Sequence, residues 1–345
     1  MQRQVEKRQF ASELRVGTIV NSVFMCADIK VRQTRAGSSF AEVRLVDRTG
    51  DISLKLWNYS ESATPGLEPG VLVRLKNAPV TEYAGSLQLS MDSAQFGGAI
   101  TICAAGECDL ADFIPATTRD IHALRGELEE TVASVTKKPV RCLLQSFFGD
   151  SEFVAKFCEW PAAVKHHHAY FGGLLEHTVS VLRICRCAAE QYDYIDWDLL
   201  AAGALLHDIG KLGSYAYDRT RAAATMAPAG VMEDHIMIGA DAVGRHISAL
   251  ANCSDRARCD SPDPCWDADM TLRMSHLIVS HHGALEWGSP VVPSTIEACV
   301  LHYADNMDAQ VNKFERTIRE APPGTDGQYR YSEVLGKIIY IPPDV

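Results

Sequence analysis

Histidine and aspartate residues recur through the second half of the chain at spacings that could hold metal ions. Imidazole nitrogen and carboxylate oxygen together suit Mn²⁺, Fe²⁺, Ni²⁺, Co²⁺ or Zn²⁺, whereas Ca²⁺ and Mg²⁺ prefer oxygen ligands. These residues stand in otherwise apolar, helix-like segments, where a polar side chain is costly unless it is paired or ligated. One such histidine alone is more often structural. Together, five groups predict metal binding: His177, His207-Asp208, His235, His281-His282 and Asp305.

The adjacent pair His207-Asp208 also constrains the local structure. Neighbouring residues point about 100° apart on an α-helix, so both can face one pocket only near a helix end or a distortion. Gly210 follows closely, which favours such an end. Asp208 and Lys211 are the candidate catalytic residues, and Lys211 would supply a positive charge to a substrate. The alternative for Lys211 is a solvated lysine at a helix end.

The elements that position these residues are predicted to be helical. Apolar residues recur at i+3 and i+4 spacing from Ile121 onward, which predicts an all-α bundle over residues 119–320. The spacing Ser294-x-x-Glu297 predicts a capping box at the start of the last long helix. Residues 321–345 are interpreted as a C-terminal tail.

Residues 252–266 interrupt the helical pattern and are interpreted as an inserted loop. The loop contains Cys253, Cys259 and Cys265. Five residues separate each cysteine from the next, which is wider than the spacing typical of structural zinc sites. The sequence therefore predicts an accessory insertion rather than a third metal site.

The first part of the chain is predicted to be a small all-β barrel over residues 12–98. Five short alternating segments, the first at Val16–Val20, are separated by turn sequences such as Arg48-Thr49-Gly50-Asp51. Five strands in fewer than 100 residues favour closure into a barrel. Residues 99–118 have few periodic apolar residues and are interpreted as a linker. The predicted fold is thus multidomain, an all-β barrel followed by an all-α bundle.

Composition and charge narrow the class of protein. Of the 345 residues, 47% are hydrophobic and 22% are charged, which excludes a disordered or fibrous protein. The apolar runs are too short to span a membrane and the N-terminus has no apolar core, so we expect a cytoplasmic protein. The net charge is −11, divided as +2 over residues 1–98 and −13 over the rest. Eleven cysteines without a C-x-x-C pair indicate neither disulfides nor a zinc ribbon.

The order of the histidine and aspartate groups resembles that of the HD-domain metal-dependent phosphohydrolase superfamily. The resemblance is closer to the YhaM-type 3′→5′ exoribonucleases, which join an N-terminal OB-fold to a C-terminal HD domain. It is carried by Pro161–Thr178, Ser280-His281-His282-Gly283, Gly288-Ser289-Pro290 and Leu301–Ala309. The segment Phe40–Gly50 with Ile52–Trp57 likewise resembles the central hairpin of an OB-fold. The resemblance covers about residues 12–320.

The resemblance implies roles for individual residues. His177, His207, Asp208 and Asp305 would surround one metal ion, and His235, His281 and His282 a second, with Asp208 bridging. His282 is alternatively a substrate contact. Lys211 would be the cation for a non-bridging phosphate oxygen or the leaving group. His167 and His168 would contact phosphate or substrate, or else cap and pack the first ligand helix. Single-stranded nucleic acid would bind on the barrel through basic and aromatic side chains: Lys30, Arg32, Arg44, Lys55, Phe40, Trp57 and Tyr83. The alternative for each aromatic ring is a place in the hydrophobic core.

These observations predict a hydrolase, a metal-dependent 3′→5′ exoribonuclease that releases 5′-mononucleotides. Two divalent ions, Mn²⁺ first among the candidates, would clamp the attacked phosphate and the leaving oxygen. Single-stranded RNA is the expected partner, single-stranded DNA is a further candidate, and a homo-oligomer is left open. The alternative is a cyclic-dinucleotide or small-nucleotide phosphodiesterase, although Gly283 is not followed by Gly-Tyr-Pro as in the cyclic-di-GMP branch. A third class, a non-catalytic single-strand binder, would have lost ligands that are all present here.

Overall fold

Six β-strands form the sheet of the N-terminal part of the chain. They are β1 (Ile19–Gln33), β2 (Ser39–Asp47), β3 (Gly50–Trp57), β4 (Leu72–Tyr83), β5 (Ser86–Asp92) and β6 (Ile100–Ile102). The computed structural model describes residues 7–34, 37–83, 86–104, 107–108, 112–113, 116–164, 168–218, 223–251, 266–319, 321, 327–332 and 334–343. The Cys253, Cys259 and Cys265 loop and His167 lie outside these residues.

The strand order closes the first five strands into a barrel. The order is β1-β2-β3-β5-β4-β6, and β1 also pairs with β4. Only β3 and β5 run parallel among these pairings of the described strands. Alternate residues such as Val43, Leu45, Leu54 and Leu56 are fully buried and fill the interior. The predicted all-β barrel ahead of a helical region is therefore confirmed.

The first strand is three times as long as the predicted segment Val16–Val20. Its first half, Ile19–Met25, pairs with β4, and its second half, Met25–Gln33, pairs with β2. The pairing with β2 is irregular between Cys26 and Asp28. Residues 22–26 are all buried, so the strand shows no apolar–polar alternation there. The period-2 pattern used to recognise strands is absent for this reason.

Two strand pairings lie in segments that the sequence suggested were irregular. β6 pairs with β4 inside the predicted linker. Near the end of the chain, β9 (Tyr329–Ser332) and β10 (Lys337–Tyr340) form an antiparallel hairpin inside the predicted tail. The domain boundaries drawn from the sequence stay predictions, but both segments contain regular structure.

A buried ion pair lies within the barrel unit. Lys7 Nζ lies 2.9 Å from Asp47 Oδ2, and both side chains are almost fully buried. Asp47 also accepts hydrogen bonds from the backbone amides of Ala11 and Thr49. Burial lowers the pKa of Lys7, although the charge of Asp47 opposes this shift. Lys7 further donates to the carbonyl of Val23, which satisfies the ammonium in the interior.

Ten α-helices make up the rest of the described structure, with one short hairpin. They are α1 (Ile121–Ser134), α2 (Lys138–Phe148), α3 (Ser151–Glu159), α4 (Gly173–Gln191), α5 (Trp197–Leu206), α6 (Lys211–Ser214), α7 (Pro228–Met232), α8 (Asp234–Ala251), α9 (Ala268–Ser280) and α10 (Ile296–Arg319). Strands β7 (Tyr215–Asp218) and β8 (Ala223–Met226) pair between α6 and α7. Among the described helices, none is both long and apolar enough to span a lipid bilayer.

Helix α5 is the centre of the helical core. Every residue from Asp198 to Leu206 is buried, and α4 and α9 pack against it. A helix that is apolar on all sides is stable only inside a protein. At its N-terminal end, the Asp198 carboxylate accepts hydrogen bonds from the amides of Thr136 and Lys137. Its C-terminal end leads directly into His207-Asp208.

The predicted capping box Ser294-x-x-Glu297 at the start of α10 is wrong. Thr295, not Ser294, accepts the hydrogen bond from the Ala298 amide. Glu297 is instead buried, and it accepts hydrogen bonds from the Asp196 amide and the Arg273 guanidinium. Two adjacent hydroxyl residues offered two possible caps, and the tertiary contacts of Glu297 fix the choice.

Tight contacts divide the described residues into two units. One unit comprises residues within 1–116, 217–223 and 314–345, and the other comprises residues within 117–216 and 224–313. The barrel and the β9–β10 hairpin belong to the first unit. The histidine and aspartate groups all belong to the second.

Candidate metal centre

His207 and Asp208 stand in a turn between two helices, as their adjacency predicts. Helix α5 ends at Leu206, and α6 begins at Lys211 after the turn. The His207 amide still donates to the Gly203 carbonyl, while the Lys211 amide donates to the Asp208 carbonyl. This change of direction lets both side chains face one pocket, where both are almost completely buried.

The two carboxylate oxygens of Asp208 face two different sets of imidazoles. Oδ2 lies 3.3 Å from Nε2 of His177 and 3.3 Å from Nε2 of His207. Oδ1 lies 3.4 Å from Nε2 of His235 and 3.8 Å from Nε2 of His281. Asp305 Oδ1 completes the first set, 3.2 Å from His177 Nε2. Asp208 thus stands between two groups of donor atoms.

Carbonyl oxygens fix the tautomer of three of these histidines. Nδ1 of His207 lies 2.9 Å from the Ala204 carbonyl oxygen, and Nδ1 of His281 lies 2.7 Å from that of Ile278. Nδ1 of His282 lies 2.7 Å from the Trp287 carbonyl oxygen. Because a carbonyl can only accept, each Nδ1 carries the proton, and in the neutral ring Nε2 keeps its lone pair. That is the form in which histidine binds metal ions.

Carboxylates hold the other two histidines in the same way. Nδ1 of His177 lies 2.7 Å from Asp308 Oδ2. Nδ1 of His235 contacts Asp234 Oδ1, at the first residue of α8. Asp234 has a φ of 64°, a left-handed conformation that is uncommon outside glycine. All five imidazoles therefore direct Nε2 toward the same pocket.

The donor atoms fit divalent metal ions. Among the described residues, Asp208 Oδ1, His235 Nε2 and His281 Nε2 are buried without a hydrogen-bond partner. An orphaned buried polar atom costs about 1–3 kcal/mol unless a ligand pairs with it. Ligand atoms of His177, His207 and Asp305 lie within 4.8 Å of one another, as do those of His235, His281 and His282. His168, His177 and Asp308 form a third such group.

The electrostatics of the pocket favour a cation. Burial alone would raise the pKa of Asp208, but Lys211 and the imidazoles hold it well below its usual value. Burial and two neighbouring imidazoles lower the pKa of His281 well below its usual value, so its ring is neutral. Around His177, three carboxylates outweigh burial and raise the imidazole pKa well above its usual value. Carboxylates that stay ionised beside these imidazoles favour a cation in the pocket, either a proton on His177 or a metal ion.

Lys211 is buried against Asp208 rather than solvated at a helix end. Its Nζ lies 2.5 Å from Asp208 Oδ2, and the residue is 6% exposed. Burial would lower the pKa of Lys211, but the charge of Asp208 outweighs it and the pKa is raised. The lysine therefore carries its charge inside the pocket. Its predicted role toward a phosphate oxygen remains a prediction.

The ring of His168 points into the protein. Its Nε2 lies 2.9 Å from Asp308 Oδ2, its Nδ1 lies 2.8 Å from Tyr170 Oη, and the residue is 3% exposed. Tyr170 in turn donates to Glu176 Oε2 over 2.9 Å. The geometry favours the packing alternative for His168 over a substrate contact, because both ring nitrogens already have protein partners.

Asp308 is the residue of this site that sequence reasoning missed. One of its oxygens lies within hydrogen-bonding distance of both His168 and His177. A carboxylate on Nδ1 orients a ligating imidazole and raises the basicity of Nε2. The spacing from Asp305 was the available clue, because residues i and i+3 lie on the same face of a helix.

The basic and aromatic residues predicted on the barrel share its outer face. Phe40 pairs with Trp57 across β2 and β3, and their ring centroids lie 5.1 Å apart. Two pairs further along these strands, on the same face, Lys55 lies opposite Glu42, which also pairs with Lys30 on β1. Trp57 is 38% exposed, and Tyr83, at the end of β4, is 72% exposed. These rings are not core residues.

Two carboxylates on this outer face reduce its positive charge. Glu42 accepts from Lys55 over 2.6 Å and pairs with Arg32 at 3.1 Å. Lys30 pairs with Asp28 at 3.1 Å. Because these pairs are partly or largely exposed, phosphate can compete for the same cations. Arg44 is exposed on the same face of β2.

Comparison with known proteins identifies the helical part. The HD domain family matches residues 174–310, a range that includes both donor groups around Asp208. Residues 174–310 form an HD domain. Two curated relatives are the 3′-5′ exoribonucleases YhaM of Bacillus subtilis (strain 168) and of Bacillus licheniformis, each 28% identical to this chain. Each alignment covers 84% of this chain and 84% of the relative. The resemblance to YhaM-type proteins is confirmed.

Proposed function

We propose that the protein is a metal-dependent 3′→5′ exoribonuclease that degrades single-stranded RNA to 5′-mononucleotides. One observation carries the proposal: Asp208 stands between two sets of Nε2 atoms, and its own Oδ1 and two of those Nε2 atoms are buried without a hydrogen-bond partner. The HD domain and the YhaM relatives, which are named as exoribonucleases, support it.

We assign the proposed ligands to two ions. His177, His207 and Asp305 would hold the first with Asp208 Oδ2, and His235, His281 and His282 the second with Asp208 Oδ1. Mixed nitrogen and carboxylate sets favour Mn²⁺, with Fe²⁺, Co²⁺, Ni²⁺ and Zn²⁺ as alternatives. The third donor group, with His168 and Asp308, is better explained by hydrogen bonds because His177 Nδ1 and Asp308 are only 2.7 Å apart.

The bound ions would supply positive charge to activate the attacking water and to stabilise the phosphate and the leaving oxygen. The chain's own residues prepare the site. Asp208, ionised at neutral pH, separates the two donor sets. Asp308 orients His177 through Nδ1. Lys211 adds a fixed positive charge beside Asp208, where developing negative charge on phosphate would be stabilised.

The barrel would supply affinity for the single strand. Bases would stack on Phe40, Trp57 and Tyr83, and phosphates would contact Arg44 and the lysines of the same face. Such contacts are tolerant of sequence because every base offers a ring face. An exonuclease that removes nucleotides one after another needs this tolerance, because each cleavage presents a new terminal nucleotide.

The deciding experiment follows 5′-labelled single-stranded RNA in Mn²⁺ with the full chain. A ladder that shortens from the 3′ end and releases 5′-mononucleotides is expected, and Asp208→Asn should abolish it and lower metal content. A matched DNA strand in the same assay defines the range of substrates. Intact RNA alongside a hydrolysed cyclic dinucleotide would refute the exonuclease and favour the phosphodiesterase.

A further inference from the structure

An aromatic side chain lies exposed beside the candidate metal centre without a role in it. Trp287 is 54% exposed, and it belongs to the short loop after His281 and His282. Its carbonyl oxygen is the acceptor 2.7 Å from His282 Nδ1. The backbone of Trp287 therefore lies only one imidazole ring away from the nitrogen that faces the proposed metal ion.

Hydrogen bonds and a close backbone approach hold this loop rigid. The amides of Trp287 and Ser289 both donate to the Ala284 carbonyl, and buried Ser289 donates from Oγ to the Val279 carbonyl. Gly283 has a φ of 77°, and a Cβ there would lie 2.2 Å from the ring of His302. The loop therefore packs against α10 with no room for a side chain at this glycine.

Trp287 continues into a short series of rings on α10. Its ring centroid lies 6.0 Å from that of His302, which lies 5.0 Å from that of Tyr303. His302 is fixed in turn, because its Nδ1 lies 3.0 Å from the His281 carbonyl oxygen. Tyr303 is 63% exposed. The series of rings runs from the loop after His282 to the exposed surface of α10.

We propose that Trp287 is the stacking face for the base of the nucleotide at the scissile phosphate, with Tyr303 extending this surface. The proposal rests on the proposed function and adds to it the subsite that holds the terminal nucleotide. A phosphate at the metal ions would carry its sugar and base outward, and Trp287 is an exposed ring whose backbone contacts the proposed ligand His282. Stacking accepts all four bases, which suits removal of nucleotides in any order of sequence.

The first test separates binding from chemistry. Loss of one stacked base costs about 1–3 kcal/mol, so Trp287→Ala should raise KM for single-stranded RNA roughly 5- to 150-fold while kcat stays within about threefold. Trp287→Phe should restore most of the affinity. The control is Tyr194→Ala, because Tyr194 is 89% exposed but precedes the opposite end of α5. Equal KM for wild type and Trp287→Ala would overturn the proposal.

A substrate without its terminal base makes the test specific. For the wild-type protein, KM for RNA with an abasic 3′ residue should exceed KM for intact RNA by the same factor that Trp287→Ala produces. The effects of the abasic residue and of Trp287→Ala should not add. Additive effects would overturn the stacking contact. A change in oligomeric state on Trp287→Ala with unchanged KM would instead assign the ring to a protein interface and overturn the proposal.

Fluorescence keeps the subsite testable apart from RNA cleavage. Titrating the Zn²⁺-loaded full chain with 5′-AMP should quench tryptophan emission, and Trp287→Phe should lose that quenching. Equal quenching in both proteins would contradict the subsite. Failure of the wild type to degrade any RNA would refute the proposed function alone, because 5′-AMP binding reports on Trp287 without it.

Discussion

Replacing Gly210 by alanine tests whether one close backbone contact positions the proposed ligand His235. Gly210 lies in the turn that carries Asp208, and it touches the start of α8, which carries His235. A Cβ on Gly210 would lie 1.9 Å from the His235 carbonyl oxygen and 2.6 Å from the Gly239 amide nitrogen. Real Cβ atoms essentially never approach closer than 3.0 Å, so the two segments must separate by at least about 1.1 Å.

That separation is large on the scale of the site. His235 Nε2 is 3.4 Å from Asp208 Oδ1, and a misplacement of about 1 Å at a reacting centre can cost about 100-fold in rate. Forcing an added methyl group into packed structure costs about 1–3 kcal/mol of stability. We therefore expect Gly210→Ala to lower affinity for the second metal ion and the rate of RNA degradation, with a moderate loss of stability.

The matched control lies in the same helix. Gly244 of α8 has no atom within 4 Å of an added Cβ, so Gly244→Ala should keep metal affinity and stabilise the fold by about 0.5–1 kcal/mol. Titration calorimetry of metal-stripped protein with Mn²⁺, together with thermal melting, measures both quantities. A Gly210→Ala protein that binds two ions with wild-type affinity would refute the reasoning.

Three further predictions concern other parts of the chain. Asp308→Asn should weaken one of the two metal-binding steps about 10- to 100-fold in calorimetry, because His177 loses the charge on its Nδ1 partner; two unchanged steps would exclude an orienting role. Asp47→Ala should cost about 3–5 kcal/mol in chemical denaturation because Lys7 is left buried without its carboxylate. Lys7→Met should cost less, because Asp47 keeps the hydrogen bonds from the amides of Ala11 and Thr49, and equal losses would contradict this account. Arg44→Gln should reduce the log–log salt dependence of RNA binding by about 0.7, and an unchanged slope would remove Arg44 from the phosphate contacts.

The sequence predicted the cluster of histidine and aspartate side chains better than its surroundings. Histidine and aspartate in apolar helices are costly without a partner, so His177, His207 and Asp208 could be singled out from residue type together with the recurrence of such groups along the chain. Asp308 could not, since acidic residues are common on helix surfaces and only the folded structure brings it to His177. Trp287 was missed for a similar reason, because only the folded structure brings it next to His282 and His302.

The elements of the barrel were predicted where alternation marks them. β3 alternates along its length and β2 alternates from Phe40 to Leu45, and Phe40 and Trp57 lie on the outer face as expected. β1 is buried at consecutive positions where it passes from one neighbour to the next, so no periodic pattern reports its length. Strand β6 and each strand of the β9–β10 hairpin are only three or four residues long, which is too short for a periodic pattern to be recognised.

Two of the proposed ligands cap the helices that carry them. The imidazole of His207 donates a hydrogen bond to the Ala204 carbonyl, and that of His281 donates to the Ile278 carbonyl. Each acceptor lies three residues earlier, in the last turn of α5 or of α9. Such carbonyls have no partner within a helix that stops there. Fraying of either helix end would therefore release a ligand, and an ion held by that ligand would oppose the fraying. Amide exchange at the last turns of both helices should slow together when metal binds, which makes the ends of two separate helices a single cooperative unit.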